Sequence, residues 1–175
     1  MQAKQTILVL GGCKSGKSAH ALELAREYPR GKRVFVATCQ ARDPEMQNRV
    51  DRHRQERGPG WQTLEEPIDL PGCILSQQDP ETVLLADCLT LWLSNLLQQE
   101  LREEQILERF DQLQASLEQA RGRVILVANE VGAGLVPMQE ISRLFRDLAG
   151  VLNQRAAASA QQVFWLVAGI PVRIK

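Results

Sequence analysis

An octapeptide near the amino terminus, GGCKSGKS (11–18), constrains the fold of this chain more than any other feature. It fits the pattern G-x-x-x-x-G-K-[S/T], in which a glycine-rich loop joins a buried strand to a helix. The apolar run TILVL (6–10) precedes it, and apolar residues at helical spacing follow it over 17–28. The sequence therefore predicts a strand–loop–helix unit, a P-loop, that binds phosphate groups.

The chemistry of a polyphosphate explains the spacing within this loop. Gly11 and Gly16 allow the backbone to bend so that successive N–H groups point inward, and the helix that follows adds its positive amino-terminal end. Lys17 is placed to reach the β- and γ-phosphates, and Ser18 to ligate Mg²⁺. The loop predicts nucleotide binding.

Strand-like and helix-like segments alternate along the rest of the chain. Apolar β-rich runs lie at 33–39, 82–87, 123–130 and 162–169, and segments with helical periodicity lie at 90–101, 103–121 and 138–160. This alternation predicts an α/β fold of the P-loop NTPase type, a mostly parallel sheet with helices on both faces. The last six residues predict an antiparallel edge strand that turns back at Gly169. We expect one domain, 1–175, with its ligands beyond the carboxyl ends of the strands.

Charge and cysteine usage narrow the class of partner. Lys and Arg number 21, as do Asp and Glu, so the balance gives no electrostatic reason to expect nucleic acid or an anionic membrane. No apolar run approaches 18 residues, and the first one is too short for a signal peptide, so we expect no membrane span. The four scattered cysteines predict reduced thiols and a cytoplasmic protein.

Three ionisable residues near predicted strand ends or the P-loop are candidates for a role. Asp87 ends a predicted strand, where P-loop proteins keep a second carboxylate for Mg²⁺, and we favour that role over a solvated strand end. Glu130 ends another strand and either orients an acceptor hydroxyl or caps the next loop. His20 lies one turn after Lys17, and packing on the first helix is its favoured interpretation.

The other histidine, His53, lies in a highly charged helix predicted over 44–57, opened by an Asp-Pro pair. Its spacing places it on an inward-facing stripe, and periodicity alone favours a partly buried, hydrogen-bonded histidine. Arg57 lies one turn further on the same face, with Arg54 near, and this pair would suit a phosphate. At this point a small-molecule kinase and a motor or switch ATPase both remain open.

Nearly the whole chain resembles one enzyme family. The similarity covers ILVLGGCKSGKS, VFVATCQARDPEM, RVDRHRQERGPGWQTLEEP, LLADCLTLWLSNLL, VILVANEVGAGLVP and FRDLAGVLNQRAAASAQQVFWLVAGIPVRIK. These segments are similar to the bifunctional adenosylcobinamide kinase / adenosylcobinamide-phosphate guanylyltransferase family of cobalamin biosynthesis. The P-loop alone is generic, whereas the blocks around His53 and after Asn129 are specific to that family.

The resemblance implies two reactions and a homotrimer. ATP or GTP, with Mg²⁺, phosphorylates adenosylcobinamide. GTP then transfers GMP to a histidine, and the histidine passes it to adenosylcobinamide phosphate, which becomes adenosylcobinamide-GDP. Such a covalent step divides one difficult displacement into two easier ones.

The resemblance also assigns roles to residues of this sequence. The guanylylated residue would be His53, and the metal would be held by Ser18 and Asp87. The residues expected to contact nucleotide are Gly11, Gly12, Cys13, Lys14, Ser15, Gly16, Lys17, Ser18, Thr38, Cys39, Gln40, Arg54, Gln55, Glu56, Arg57, Glu65 and Asp87.

The chain departs from the family pattern in two places. Some relatives carry two adjacent histidines where this chain has Arg52 and His53, which puts in doubt a supporting role for the first. Relatives often have Glu at the position of Asp87. Two alternatives remain: a P-loop kinase without the transferase step, and a nucleotide-dependent switch or binding module. Covalent nucleotide at His53 would distinguish the bifunctional enzyme from both.

Overall fold

The computed structural model describes residues 4–28, 31–40, 55 and 57–175. Within them, seven strands form a single sheet in the order β3-β2-β4-β5-β1-β6-β7. All neighbouring strands are parallel except the β6–β7 pair, which is antiparallel. The strands are β1 (Gln5–Gly11), β2 (Arg33–Ala37), β3 (Trp61–Glu65), β4 (Val83–Asp87), β5 (Arg123–Asn129), β6 (Gln162–Val167) and β7 (Ile170–Arg173).

Five helices connect these strands in the described part of the chain. They are α1 (Lys17–Arg26), α2 (Leu70–Ser76), α3 (Leu89–Leu97), α4 (Glu103–Gln119) and α5 (Glu140–Ser159). Gln55 and Arg57 are also helical. Among the described helices, none is both long enough and apolar enough to cross a membrane.

Side chains alternate between the two faces of a strand, so the five central strands, β1, β2, β4, β5 and β6, contribute to two separate cores. The larger core packs α3, α4 and α5 on one face, with Trp92 and Phe110 fully buried at its centre. The smaller core packs α1 on the other face, against Ile7, Val9 and Leu85. We call these the thick face and the thin face. The P-loop strand β1 is interior, with β5 and β6 on its two sides.

The structure confirms the predicted fold class, including the antiparallel last strand. Most predicted elements appear with ends shifted by one to four residues. The predicted helix over 44–57 lies almost entirely outside the described residues.

Sequence reasoning missed β3 and α2, which lie in the stretch 61–81. The first is a short edge strand with no fully buried residue. The second starts with Asp69, whose side chain accepts from the Gly72 N–H at 3.1 Å, followed by Leu70 and Pro71. That combination of a capping Asp and a proline in the first turn is the signal that could have revealed the helix.

Candidate functional site

The P-loop begins where β1 ends, and its shape depends on two glycines. A Cβ on Gly11 would collide with the Ser15 hydroxyl and lie 2.9 Å from the Leu166 carbonyl oxygen. Gly16 has φ +91°, a left-handed conformation that favours glycine. These two positions explain why the motif requires glycine at its first and sixth places.

Lys17 is the first residue of α1, and its side chain folds back over the loop. Its Nζ donates to the Gly12 carbonyl oxygen at 3.1 Å. Ser18 follows in the first turn of the same helix. The ammonium group and the amino-terminal end of α1 are therefore on the same side of the loop, the arrangement that a phosphate group requires.

Ser15 is the best-buried polar residue of the loop. Its hydroxyl has no hydrogen-bond partner among the described residues, and its carbonyl oxygen accepts from the Gly169 N–H at 3.1 Å. Gly169 has φ +82° and lies in the turn between β6 and β7. The turn between β6 and β7 therefore supports the P-loop through this hydrogen bond. Sequence reasoning missed the contact because it joins residues more than 150 positions apart.

Two predicted carboxylates lie at the carboxyl edge of the sheet. Glu65 ends β3 and Asp87 ends β4, and both are in register with Ala37 of β2. Asp87 follows Leu85 on the thin face, the face that α1 covers. It lies two strands, about 10 Å, from β1. The structure thus places Asp87 on the face that α1 covers, and Ser18 lies in the first turn of α1. Glu65, in contrast, lies on the edge strand β3.

The donors Ser18 and Asp87 suit Mg²⁺, which keeps several waters and needs few protein ligands. No group of three or more His, Cys, Asp or Glu side chains in the described ranges could hold a metal by itself. A magnesium ion here would therefore depend on the nucleotide phosphates for its remaining ligands.

Cys88 follows Asp87 and is buried beneath the same edge. Burial raises the pKa of its thiol to about 12; the nearby Asp87 carboxylate raises it further, and the charge of Lys17 opposes the rise. Burial also raises the pKa of Cys73, in α2, to about 11, with help from Glu66 and Asp69. Both thiols therefore remain protonated at neutral pH, and neither is an activated nucleophile.

Thr38 is fully buried directly after β2. Its hydroxyl donates to the Cys88 carbonyl oxygen and accepts from the Cys88 N–H, both at 2.8 Å. The Asn95 side chain donates to the Thr38 carbonyl oxygen at 2.7 Å. Cys39 and Gln40 follow, half-buried. The Thr38 side chain therefore joins two strand ends, and Asn95 is a supporting residue that sequence reasoning missed.

Arg57 is buried, with 6% of its surface exposed. Its guanidinium carbon lies 3.6 Å from the ring centroid of Phe35, and its Nη2 donates to the Thr63 hydroxyl at 3.3 Å. Phe35 lies on the thin face, as does Asp87. Gln55 is exposed. The predicted site residues His53, Arg54 and Glu56 lie outside the described part of the chain.

Glu130, whose role the sequence left open, and His20, for which it favoured packing, both have local partners. The Glu130 N–H donates to the Gly11 carbonyl oxygen at 3.1 Å, and its carboxylate accepts from the Gly132 N–H at 2.6 Å. Its contacts are those of a residue that caps the following loop. His20 packs edge-on against Phe164, with 5.0 Å between ring centroids, as expected for a packing residue.

These features define the class of protein, a P-loop nucleotide-binding α/β protein. Solved structures with the same fold include the RadB recombinase, with a TM-score of 0.55 and 16% identity over 93% of this chain and 74% of that one. A prototypical ATPase from the type III secretion system of pathogenic bacteria has a TM-score of 0.57 and 11% identity over 94% of this chain and 51% of that one. At these identities the likeness is one of fold alone.

The family follows from closer relatives. The family described as cobinamide kinase / cobinamide phosphate guanyltransferase matches residues 7–174. The bifunctional adenosylcobalamin biosynthesis protein CobP of Pseudomonas aeruginosa is 44% identical over 169 residues, which are 96% of each chain. CobU of Escherichia coli K12 is 38% identical over 181 residues, 97% of this chain and 99% of that one. The chain belongs to this family, and the predicted enzyme class, kinase and guanylyltransferase, is confirmed.

Proposed function

We propose that the chain works through a guanylyl-histidine intermediate on His53, between a kinase step and a transfer step. In the first step ATP or GTP phosphorylates adenosylcobinamide at the P-loop. In the second, GTP donates GMP to the histidine and then to adenosylcobinamide phosphate. The kinase step is supported by the P-loop with Lys17 folded over it and Asp87 on the same face of the sheet. The histidine step is supported by the match of residues 7–174, which include His53, to the guanyltransferase family.

The chain's own groups account for the kinase step. Lys17 and the backbone N–H groups of the loop bind and orient the phosphates. The loop residues that contribute these N–H groups are Gly11, Gly12, Cys13, Lys14, Ser15, Gly16, Lys17 and Ser18. Ser18 and Asp87 would hold Mg²⁺, which would neutralise negative charge on the transferring phosphoryl group. The acceptor hydroxyl releases its proton to solvent as its oxygen bonds to the γ-phosphorus. The bond from that phosphorus to the β–γ bridging oxygen breaks, and nucleoside diphosphate leaves.

The transfer step needs a nucleophile that the kinase step does not use. A neutral His53 nitrogen attacks the α-phosphorus of GTP and an N–P bond forms. The bond from the α-phosphorus to the α–β bridging oxygen breaks, and pyrophosphate leaves with that oxygen. A phosphate oxygen of adenosylcobinamide phosphate then displaces the histidine. Residues proposed to hold this guanine nucleotide are Thr38, Cys39, Gln40, Arg54, Gln55, Glu56, Arg57 and Glu65.

The burial of Arg57 supports this location for the transfer step. Its stacking on Phe35 and its bond to Thr63 fix it on the face that carries Asp87. A residue four positions after His53 is thereby anchored on the same face of the sheet as the P-loop helix.

We further propose a cytoplasmic homotrimer. The support is the last strand, β7, whose four residues are all exposed at the sheet edge, with Ile170 at 65% and Val172 at 47%. Exposed apolar edge strands favour contact with another chain. All four cysteines are free thiols, as a reducing compartment requires. Sedimentation equilibrium tests the assembly: a mass of three subunits is expected, and a mass of one or two subunits would refute the trimer.

Covalent labelling tests the intermediate. The protein is incubated with Mg²⁺ and GTP labelled at the α-phosphate, then denatured, and we expect acid-labile label on the chain. GTP labelled at the γ-phosphate should leave none, since that phosphate departs in pyrophosphate. The chain has only two histidines, so His53→Ala should abolish the label and the matched variant His20→Ala should keep it.

Other outcomes would favour other functions. Wild-type protein that phosphorylates adenosylcobinamide but takes no label would be a kinase without the transferase step. Protein that binds nucleotide tightly and does neither reaction would be a switch or binding module. Label retained by His53→Ala would place the intermediate on another residue.

A further inference from the structure

A groove of about 340 Å³ lies between the carboxyl-terminal half of α3 and the first turns of α5, outside the P-loop. Its lining combines three apolar side chains with three that can form hydrogen bonds. The lining residues are Leu97, Ile141 and Phe145 and, among the polar ones, Ser94, Gln98 and Ser142. The Gln98 amide donates to the Ser94 hydroxyl at 3.4 Å. A surface of this kind suits a ligand that has apolar parts and amide groups at its periphery.

The groove lies at the same edge of the sheet as the P-loop. The Asn153 side chain donates to the carbonyl oxygen of Asn129, the last residue of β5, at 3.3 Å. The helix α5 then leads to the amino end of β6, so its earlier residues run away from the sheet beyond that edge. At 1.5 Å per residue, Phe145 and Ile141 lie about 12 and 18 Å along the helix from this contact.

The second wall of the groove, formed by α3, also lies at the carboxyl edge of the sheet. Asn95 of α3 donates to the Thr38 carbonyl oxygen just beyond β2 and to the Pro67 carbonyl oxygen at 3.1 Å. Ser94 precedes Asn95, and Leu97 follows within the same turn. Both walls of the groove therefore stand on the carboxyl edge.

A short segment connects the groove directly to the P-loop. It starts at Glu130, whose N–H donates to Gly11, and runs to the start of α5. Leu135 and Met138 on this segment are more than 90% exposed. The Arg143 guanidinium of α5 donates to the Met138 carbonyl oxygen at 2.6 Å, which ties the segment to the helix that lines the groove. The groove thus has an apolar rim on the side towards the phosphates.

We propose that this groove and its rim bind the corrin ring of adenosylcobinamide, the acceptor of both reactions. The proposal rests on the function proposed above. Leu97, Ile141 and Phe145 contact the methyl-bearing edge of the ring. The ring is larger than the groove, so its remainder lies on the exposed rim, and its amide arms bond to the hydroxyl and amide groups of the lining. The aminopropanol arm then extends along 130–139 towards the P-loop.

Steady-state kinetics of the phosphorylation step tests this assignment on the full-length protein. Ser94→Tyr fills the groove, and Ile141→Ser removes a 59% exposed apolar contact. We expect the KM for adenosylcobinamide to rise more than about tenfold in the first variant and about fivefold in the second, since each loses buried apolar contact with the ring. The KM for ATP should not change. Leu75→Ser, which alters an exposed leucine of α2 outside the groove, is the matched control.

Two results would overturn the proposal. One is an unchanged KM for adenosylcobinamide in both groove variants. The other is a change of sedimentation coefficient that accompanies the loss of activity, which would make the groove a contact between subunits. A variant that no longer binds ATP is misfolded, and the other variant then decides.

Failure of the groove and failure of the proposed function give different results. If the wild-type protein takes no GMP label but the groove variants raise the KM for adenosylcobinamide as expected, only the guanylyl-histidine step is refuted. If the wild-type protein does not phosphorylate adenosylcobinamide at all, equilibrium dialysis with adenosylcobinamide replaces the kinetics. Binding weakened tenfold by Ser94→Tyr would then still support the groove, and equal binding would refute it.

Discussion

The two faces of the sheet differ in how they are covered and in what they carry. On the thick face α3, α4 and α5 bury a continuous apolar core around Trp92 and Phe110. On the thin face α1 covers a smaller core, and the same face carries Asp87 and the buried Arg57. In β4 the division falls between neighbours: Leu84 belongs to the thick face and Leu85 to the thin one.

The difference shows how one sheet can separate stability from chemistry. A strand places alternate residues on opposite faces. The five residues of β4 therefore contribute to the core of the thick face and also present the Asp87 carboxylate on the thin face. The thick face forms the larger apolar core, which α3, α4 and α5 cover in the described part of the chain. At its carboxyl edge the thin face carries Asp87. Changes on the two faces should therefore have different consequences.

The largest effect on stability is expected from Phe110→Ala. It removes a fully buried ring of the thick face and leaves a cavity, so the free energy of unfolding should fall by about 3–5 kcal/mol. Urea unfolding measures this, and nucleotide affinity of the folded fraction should be unchanged. Leu75→Ala, on an exposed position, is the control. A loss of nucleotide affinity equal to the loss of stability would contradict the separation of the two faces.

The converse result is expected from Lys17→Ala. Without the ammonium over the loop, the rate of adenosylcobinamide phosphorylation should fall on the order of 10²–10³-fold. The free energy of unfolding should change by less than about 0.5 kcal/mol, since the side chain contributes to no core. Lys32→Ala, whose amine bonds to Gln77 at 2.9 Å before β2 begins, should keep full activity. Activity retained by Lys17→Ala would remove the P-loop from the mechanism.

A smaller effect is expected at Thr38, which joins the ends of β2 and β4. Thr38→Val keeps the shape and loses both hydrogen bonds to the Cys88 backbone, so stability should fall by about 1–3 kcal/mol. Thr38→Ser keeps the hydroxyl and should lose less. Isothermal titration with GTP then separates two roles: affinity that falls in step with stability indicates a strand-end support, and a larger fall indicates direct contact with nucleotide.

At neutral pH the smallest effect is that of the thiols of Cys88 and Cys73, whose influence on stability appears only in alkaline solution. The pKa values of Cys88 and Cys73 are about 12 and 11 in the folded protein, against 9.0 for an ordinary thiol. Between about pH 9 and the folded values the unfolded chain releases protons that the folded chain keeps. The free energy of unfolding should therefore be fully retained below pH 9 and decline as the pH rises above it.

Substitution separates this alkaline effect from other titrations. Cys88→Ala should flatten the decline of stability between pH 9 and 11, whereas Cys13→Ala, at an exposed position, should leave its slope unchanged. Thermal unfolding midpoints across this range provide the measurement. Equal slopes in the wild type and in Cys88→Ala would show that the buried thiol does not control the alkaline limit.

Much of the fold and part of the site could be predicted because their signals are local. The P-loop, the run TILVL and the helical spacing after Lys17 define a complete strand–loop–helix unit within 23 residues, 6–28. Apolar runs likewise marked β4, β5 and β6 within a few residues. Short elements with weak patterns, such as β3, were missed because an exposed edge strand needs few buried residues.

The sequence by itself determined the class of fold and the phosphate loop and, through its family resemblance, the kinase and guanylyltransferase reactions. Each of these depends on motifs whose residues lie near one another in the chain. Only the tertiary structure decided the order of the strands, the face on which Asp87 lies, the bonds of Thr38 to Cys88 and the contact of Gly169 with Ser15. Those relations join residues that are far apart in the chain. They follow from strand pairing and from which faces pack together, and periodicity along a chain carries no record of either.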